Sequence, residues 1–147
     1  MKAELTKQRI TWLPVHDAEL IFLKVTPRAN GDVSLSVAAK LHKDEPMDEL
    51  FKLGLKTRSF RLTFENSWQI VFNILAVAGG KETIDDCRVV GDSELLSRLL
   101  SLGFAQSNEL KHYRIGFSSG SSIDVVAKGV FIEEFETERG RKGVGAD

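Results

Sequence analysis

His112-Tyr113-Arg114-Ile115-Gly116-Phe117-Ser118-Ser119-Gly120-Ser121-Ser122-Ile123-Asp124-Val125-Val126-Ala127 can be read in two ways, and the choice sets the fold. Gly116-Phe117-Ser118-Ser119-Gly120 matches the G-x-S-x-G pattern of serine hydrolases, in which a strand turns sharply into a helix and a histidine follows later in the chain. Here Ile123, Val125 and Ala127 fall on one side by alternation, the period of a strand. All three histidines, His16, His42 and His112, precede Ser118. The stretch is therefore a Ser/Gly hairpin joining two strands, not a nucleophile elbow.

Pairing the apolar rows of this hairpin sets Phe117 against Ile123, Ile115 against Val125 and Tyr113 against Ala127. His112 then stands opposite Lys128, and Asp124 opposite Gly116. At the usual strand rise that separates His112 from Asp124 by roughly 13 Å, which excludes a hydrogen-bonded dyad. Arg114 falls diagonal to Asp124, so an exposed cross-strand ion pair is expected.

Working outward, strand signals dominate. Val33, Leu35, Val37, Ala39 and Leu41 alternate with Ser34, Ser36, Ala38 and Lys40, after a mixed run over 19–26 and a turn containing Asn30-Gly31. A short strand is expected at 9–13, ending at Pro14. In the centre, Phe60, Leu62 and Phe64 share one face, and Trp68, Ile70, Phe72 and Ile74 share another. A three-residue loop at Glu65-Asn66-Ser67 would pair Phe64 with Trp68, Leu62 with Ile70 and Phe60 with Phe72, and so bury both rows together. A last strand is expected at 129–135.

Helical patterning is confined to two places. Pro46, Asp48 and Glu49 suit a helix start and Gly54 a helix stop, which gives a short helix over 46–53. Asp92 or Ser93 can cap a helix over 92–102 whose apolar stripe is Leu95, Leu96, Leu99, Leu100 and Leu102, closed by Gly103. The expected fold is α+β: a β-rich antiparallel sheet, or a partly open barrel or sandwich, packed with one principal helix (92–102) and the short helix (46–53). Residues 1–135 form a single globular domain. The tail 136–147 has one apolar side chain larger than Ala and is expected to be disordered.

Composition narrows the function classes. Twenty basic and 21 acidic residues leave a formal charge of −1, so no global field favours nucleic acid or anionic lipid. The longest charge-free run, 66–80, is 15 residues, short of the roughly 20 a membrane-spanning helix needs. The first residues lack a secretory signal pattern, and a cytoplasmic location is the expectation. Cys87 is the only cysteine, which rules out an intramolecular disulfide, and Asp85 and Asp86 beside it would raise its thiol pKa.

Other constellations fall to simpler accounts. His16, Asp17 and Glu19 could join a metal site only with ligands from elsewhere, and a polar turn explains them. Gly79-Gly80-Lys81 lacks the upstream glycine and following hydroxyl of a phosphate loop, since Leu75 and Glu82 occupy those places. No metal or cofactor is expected. Lys52, Lys56, Arg58 and Arg61 form the best basic cluster, with Phe51 and Phe60 interleaved. Acidic neighbours dilute it and argue against nucleic acid.

The succession Phe60-Arg61-Leu62-Thr63-Phe64-Glu65-Asn66, Ser93-Glu94-Leu95-Leu96, His112-Tyr113-Arg114-Ile115 and Ile123-Asp124-Val125-Val126-Ala127 resembles small uncharacterised bacterial proteins, including some immunity proteins of toxin systems. It covers positions 58–132 and brings no catalytic residue. What it implies is a stand-alone bacterial binding protein. The leading expectation is thus a non-catalytic protein that binds another protein as an immunity or accessory factor. Its candidate contact residues are Trp12, Lys52, Lys56, Arg58, Arg61, His112, Arg114 and Asp124. The alternatives are a small-ligand binder or enzyme with a cleft near His16, His42 or His112, and a subunit that self-assembles through a strand edge.

Overall fold

The computed structural model describes residues 2–5, 17–29, 33–75, 82–103 and 110–135. Seven strands are present among them: β1 (Lys2–Glu4), β2 (Ala18–Pro27), β3 (Val33–Lys40), β4 (Ser59–Asn73), β5 (Thr83–Val89), β6 (Lys111–Phe117) and β7 (Ser122–Glu134). Two short helices accompany them, α1 (Asp48–Lys52) and α2 (Glu94–Ser101). All pairings are antiparallel, in the order β1-β7-β4-β3-β2-β5-β6, and a further β6–β7 pairing closes the circuit. The join between β2 and β5 is narrow, at Ala18–Ile84 and Glu19–Thr83. The antiparallel, mostly β architecture agrees with the sequence pattern.

The core lies inside this ring. Leu35, Val37 and Ala39 of β3, Phe60, Leu62 and Phe64 of β4, Tyr113 and Ile115 of β6, and Ile123, Val125, Val130 and Ile132 of β7 are all fully buried. The rings of Phe64 and Tyr113 meet at 5.5 Å between centroids. Leu50 of α1 and Leu55 just after it join the same core. A five-residue helix is unstable alone, but burying Leu50 contributes about 2 kcal/mol. Gly54 closes α1 at φ 89°, a left-handed conformation that glycine adopts without strain. The residue that opens α1 is Met47 rather than Pro46.

Three expectations about the elements are overturned. The central hairpin does not exist. Residues 59–73 form one strand, β4, because β7 is long enough to pair with it from Phe60–Glu134 to Asn73–Ser122. Asn66, at φ 53°, and a register shift between Ser67 and Gln69 act as a bend and bulge within the strand. Bulges add twist and curvature, which a small closed sheet needs more than it needs another hairpin. The bulge also leaves Trp68 47% exposed instead of buried against Phe64.

The strand expected at 129–135 is likewise the second half of β7. Nor is there a principal helix. α2 spans eight residues, none buried, and rests its leucines on a small cluster of Leu110 and Val126. The strand expected at 9–13 and the tail 136–147 lie outside the described residues.

Candidate functional site

α2 sits on the outside of the sheet. Cross-strand partners share a face, so Val126 (β7), His112 (β6) and Gln69 (β4), which oppose one another, lie outside, as do Asp124, Arg114 and Val71. Between α2 and this face lie two depressions. One, of about 420 Å³, is polar and includes Ser93, His112, Arg114, Asp124 and Arg98 in its lining. The other, of about 640 Å³, is lined by Trp68, Gln69, Arg98, Leu99 and Leu102. Arg98 borders both.

The polar depression corrects the hairpin register. Ile115 opposes Ile123, Tyr113 opposes Val125 and His112 opposes Val126, two residues from the expected partners. The cause is the turn. Phe117 N–H donates to Ser121 O, Gly120 takes φ 93°, and only Ser118-Ser119-Gly120 remain as loop. A shift of two keeps every side chain on its predicted face, so apolar pairing could not distinguish the two registers.

Under the true register His112 is diagonal to Asp124, and Nε2 lies 2.6 Å from Asp124 Oδ1. The dyad that the expected spacing excluded is therefore formed. Arg114 directly opposes Asp124, with Nε donating to Oδ1 at 2.9 Å, and the carboxylate is only 15% exposed rather than solvated. On the other side of the ring, His112 Nδ1 lies 2.6 Å from Ser93 Oγ.

The proton arrangement follows from what each group can do. Asp124 carboxylate only accepts, so Nε2 carries the ring hydrogen and donates. In the neutral ring Nδ1 then accepts from the Ser93 hydroxyl. Ser93 Oγ in turn accepts from Leu96 N–H at 2.9 Å, which makes it the N-cap of α2. One chain of hydrogen bonds thus runs Leu96–Ser93–His112–Asp124–Arg114 and fastens α2 to the sheet. Ser93, His112 and Asp124 match the residue types of an acyl-transfer triad, with the ring nitrogens exchanged relative to the usual order.

The G-x-S-x-G residues do different work. Ser118 and Ser119 sit in the β6–β7 turn and both bond to the Glu82 carboxylate, as does Thr83 N–H. Burial tends to raise the Glu82 pKa, but these hydrogen bonds prevail and hold it below the ordinary value. Ser121 Oγ accepts from Leu75 N–H at 2.8 Å, tying the end of β4 to the same turn.

The remaining candidates are dispersed. Lys52 pairs with Glu49 at 3.2 Å. Arg58 Nη1 donates to the carbonyls of His42 and Glu45 at 2.8 and 2.7 Å, pinning the loop after β3. Arg61 is engaged by Glu133, and Lys56 N–H donates to Glu134. His42 is exposed beside Asp44 and makes no contact with the His112 network. Trp12 and His16 lie outside the described residues.

Cys87 is buried in the core; that burial, and after it the Asp86 charge, pushes its thiol far up, so desolvation outranks the neighbouring aspartate. Tyr113, with its hydroxyl unpartnered among the described residues, is pushed up to about 12 by burial and then by Cys87 and Glu4. Among the described residues, no three His, Cys, Asp or Glu side chains gather as a metal site, and no helix is long and apolar enough to cross a membrane.

The second depression was not legible in the sequence. Trp68 reads as core on its even spacing, and Leu99 and Leu102 read as the buried stripe of a helix. The only hint is Arg98, a cation set among leucines.

Comparisons with protein-family models, with curated proteins and with solved structures returned no match for this chain.

Proposed function

We propose that this chain is a non-catalytic protein that binds another protein, as an immunity or accessory factor does, and that the contact is centred on the groove between Trp68 and α2. One observation carries this reading. A half-exposed tryptophan, an arginine with no ion pair among the described residues, and two leucines line a single surface depression. Tryptophan and arginine are the residues that dominate binding energy at interfaces, and exposed apolar clusters on small proteins mark contact surfaces.

The test is retention of native-extract proteins by the full chain, by Trp68→Ala, by Arg98→Glu, and by Lys43→Ala as a distant control. A partner held by the control but lost at least tenfold by both groove variants supports the reading. No partner with that dependence removes it.

A second reading rests on the Ser93–His112–Asp124 chain, which could activate the Ser93 hydroxyl toward acyl groups. Against it, Ser93 is 8% exposed and its oxygen already caps α2. A fluorophosphonate probe separates the two readings. Modification of Ser93, abolished in His112→Gln, would move the function to acyl transfer, whereas an unmodified protein leaves the binding role in place.

A further inference from the structure

β3 covers β4 only as far as the Val33–Ser67 pair. From Gln69 to Asn73, β4 is bonded to β7 on one side and to no other strand among the described residues. Among the described residues, that leaves a row of β4 backbone groups with no strand partner. Trp68, Val71, Phe72 and Ile74 on or beside this edge are 47%, 38%, 45% and 56% exposed. Soluble proteins normally guard such an edge with lysine, proline or an inward charge. Residues 66–75 contain no charged residue and no proline.

We propose that this edge pairs antiparallel with the same edge of a second copy of the chain, about a two-fold axis at Val71. The side chains are complementary in that register. Val71 faces Val71 of the second copy, Ile70 faces Phe72, and Gln69 faces Asn73. Apolar thus meets apolar and amide meets amide, with no like charges opposed. A register moved by one residue would instead set Gln69 against Phe72 and Ile70 against Val71, mixing the rows. The pairing uses the backbone edge of β4, whereas the groove of the proposed function lies toward α2 and shares Trp68 and Gln69 with that stretch of strand. A monomer would leave the groove reading untouched, and the Val71→Cys cross-link tests the edge without altering a groove residue.

The experiment is mass determination by sedimentation equilibrium on the full chain over a wide dilution series, with paired charge variants. The wild type is expected to approach twice its 16.4 kDa as concentration rises. Gln69→Lys with Asn73→Lys opposes lysines at both ends of the ladder and should give a monomer. Gln69→Lys with Asn73→Glu opposes unlike charges and should restore the dimer. In Val71→Cys the new thiols meet across the two-fold, at the 4.5–5.5 Å Cα spacing typical of about every antiparallel pair, which suits a disulfide. Oxidation should yield a covalent dimer while buried Cys87 stays silent. This last variant keeps the test alive if the charged ones fold poorly. A wild type that stays monomeric at every concentration, a dimer indifferent to the two lysines, or a Val71→Cys protein that fails to cross-link would overturn the proposal.

Discussion

His112 Nε2 lies 2.6 Å from Asp124 Oδ1 although the two residues are diagonal, not opposite, in the β6–β7 ladder. The residue facing Asp124 is Arg114, and the one facing His112 is Val126. Asp124 therefore joins an imidazole and a guanidinium on one face. The imidazole carries the connection onward to Ser93 and the start of α2. A helix with no buried residue is held by the buried Ser93–His112 pair and by the packing of its leucines on Leu110 and Val126.

That arrangement predicts non-additive stability. Ser93→Ala removes the cap and leaves Nδ1 without a donor, at a cost of about 2 kcal/mol. Asp124→Asn weakens the acceptor for both His112 and Arg114 and should cost about 2 kcal/mol as well. Because both act on one hydrogen-bond chain, the double variant should fall short of the sum by about 1 kcal/mol. Urea denaturation of the four proteins measures this, and simple additivity would show the chain to be energetically uncoupled.

Acid stability should depend on Glu82. Its folded pKa lies below the ordinary 4.5, so its contribution is fully present above that value and is lost as the pH falls through the folded pKa. The melting temperature of the wild type should therefore drop more steeply than that of Glu82→Gln between about pH 6 and pH 3, around the usual Glu range. Parallel curves would mean that the serine contacts do not persist in solution.

Gly120→Ala tests the turn that sets the register. Its φ of 93° strains any L side chain, and a Cβ would meet Leu75 Cδ1 at 3.3 Å. A loss of at least about 1 kcal/mol is expected by chemical denaturation. The His112 ring resonances should shift with it, since the turn determines the distance from His112 to Asp124. A stable variant with unchanged His112 signals would refute this link between turn and site.

Cys87 should resist a thiol reagent in the native protein and react in full on unfolding. Burial removes access and disfavours the thiolate, and the Asp86 charge adds to the second effect. Reaction at the rate of a free thiol under native conditions would show that the β5–β6 part of the barrel opens readily.

The prediction of faces succeeded where a single period sufficed. Ile115, Ile123 and Val125 point inward as the alternation requires, and Ser93 and Gly103 bound α2 as their chemistry suggests. The prediction of register failed, because registers two residues apart satisfy the same alternation. Gly120, a single residue in the left-handed region, chose between them. In β4 the failure had the opposite form. Asn66 can serve a turn or a bulge equally well, and only the presence of β7 along the whole strand makes it a bulge.

The amino-acid sequence by itself determined the antiparallel, mostly β character of this protein, the inward faces of β3, β6 and β7, and the cap that opens α2. Those properties depend on residues near one another in the chain. The tertiary structure alone decided that β4 is continuous, that Trp68 is exposed beside Arg98, and that Ser93, His112 and Asp124 meet. Each of these requires strands or helices distant in the chain to settle against one another. Local periodicity carries no term for that choice, because it arises from turn geometry, strand length and the curvature of a closed sheet.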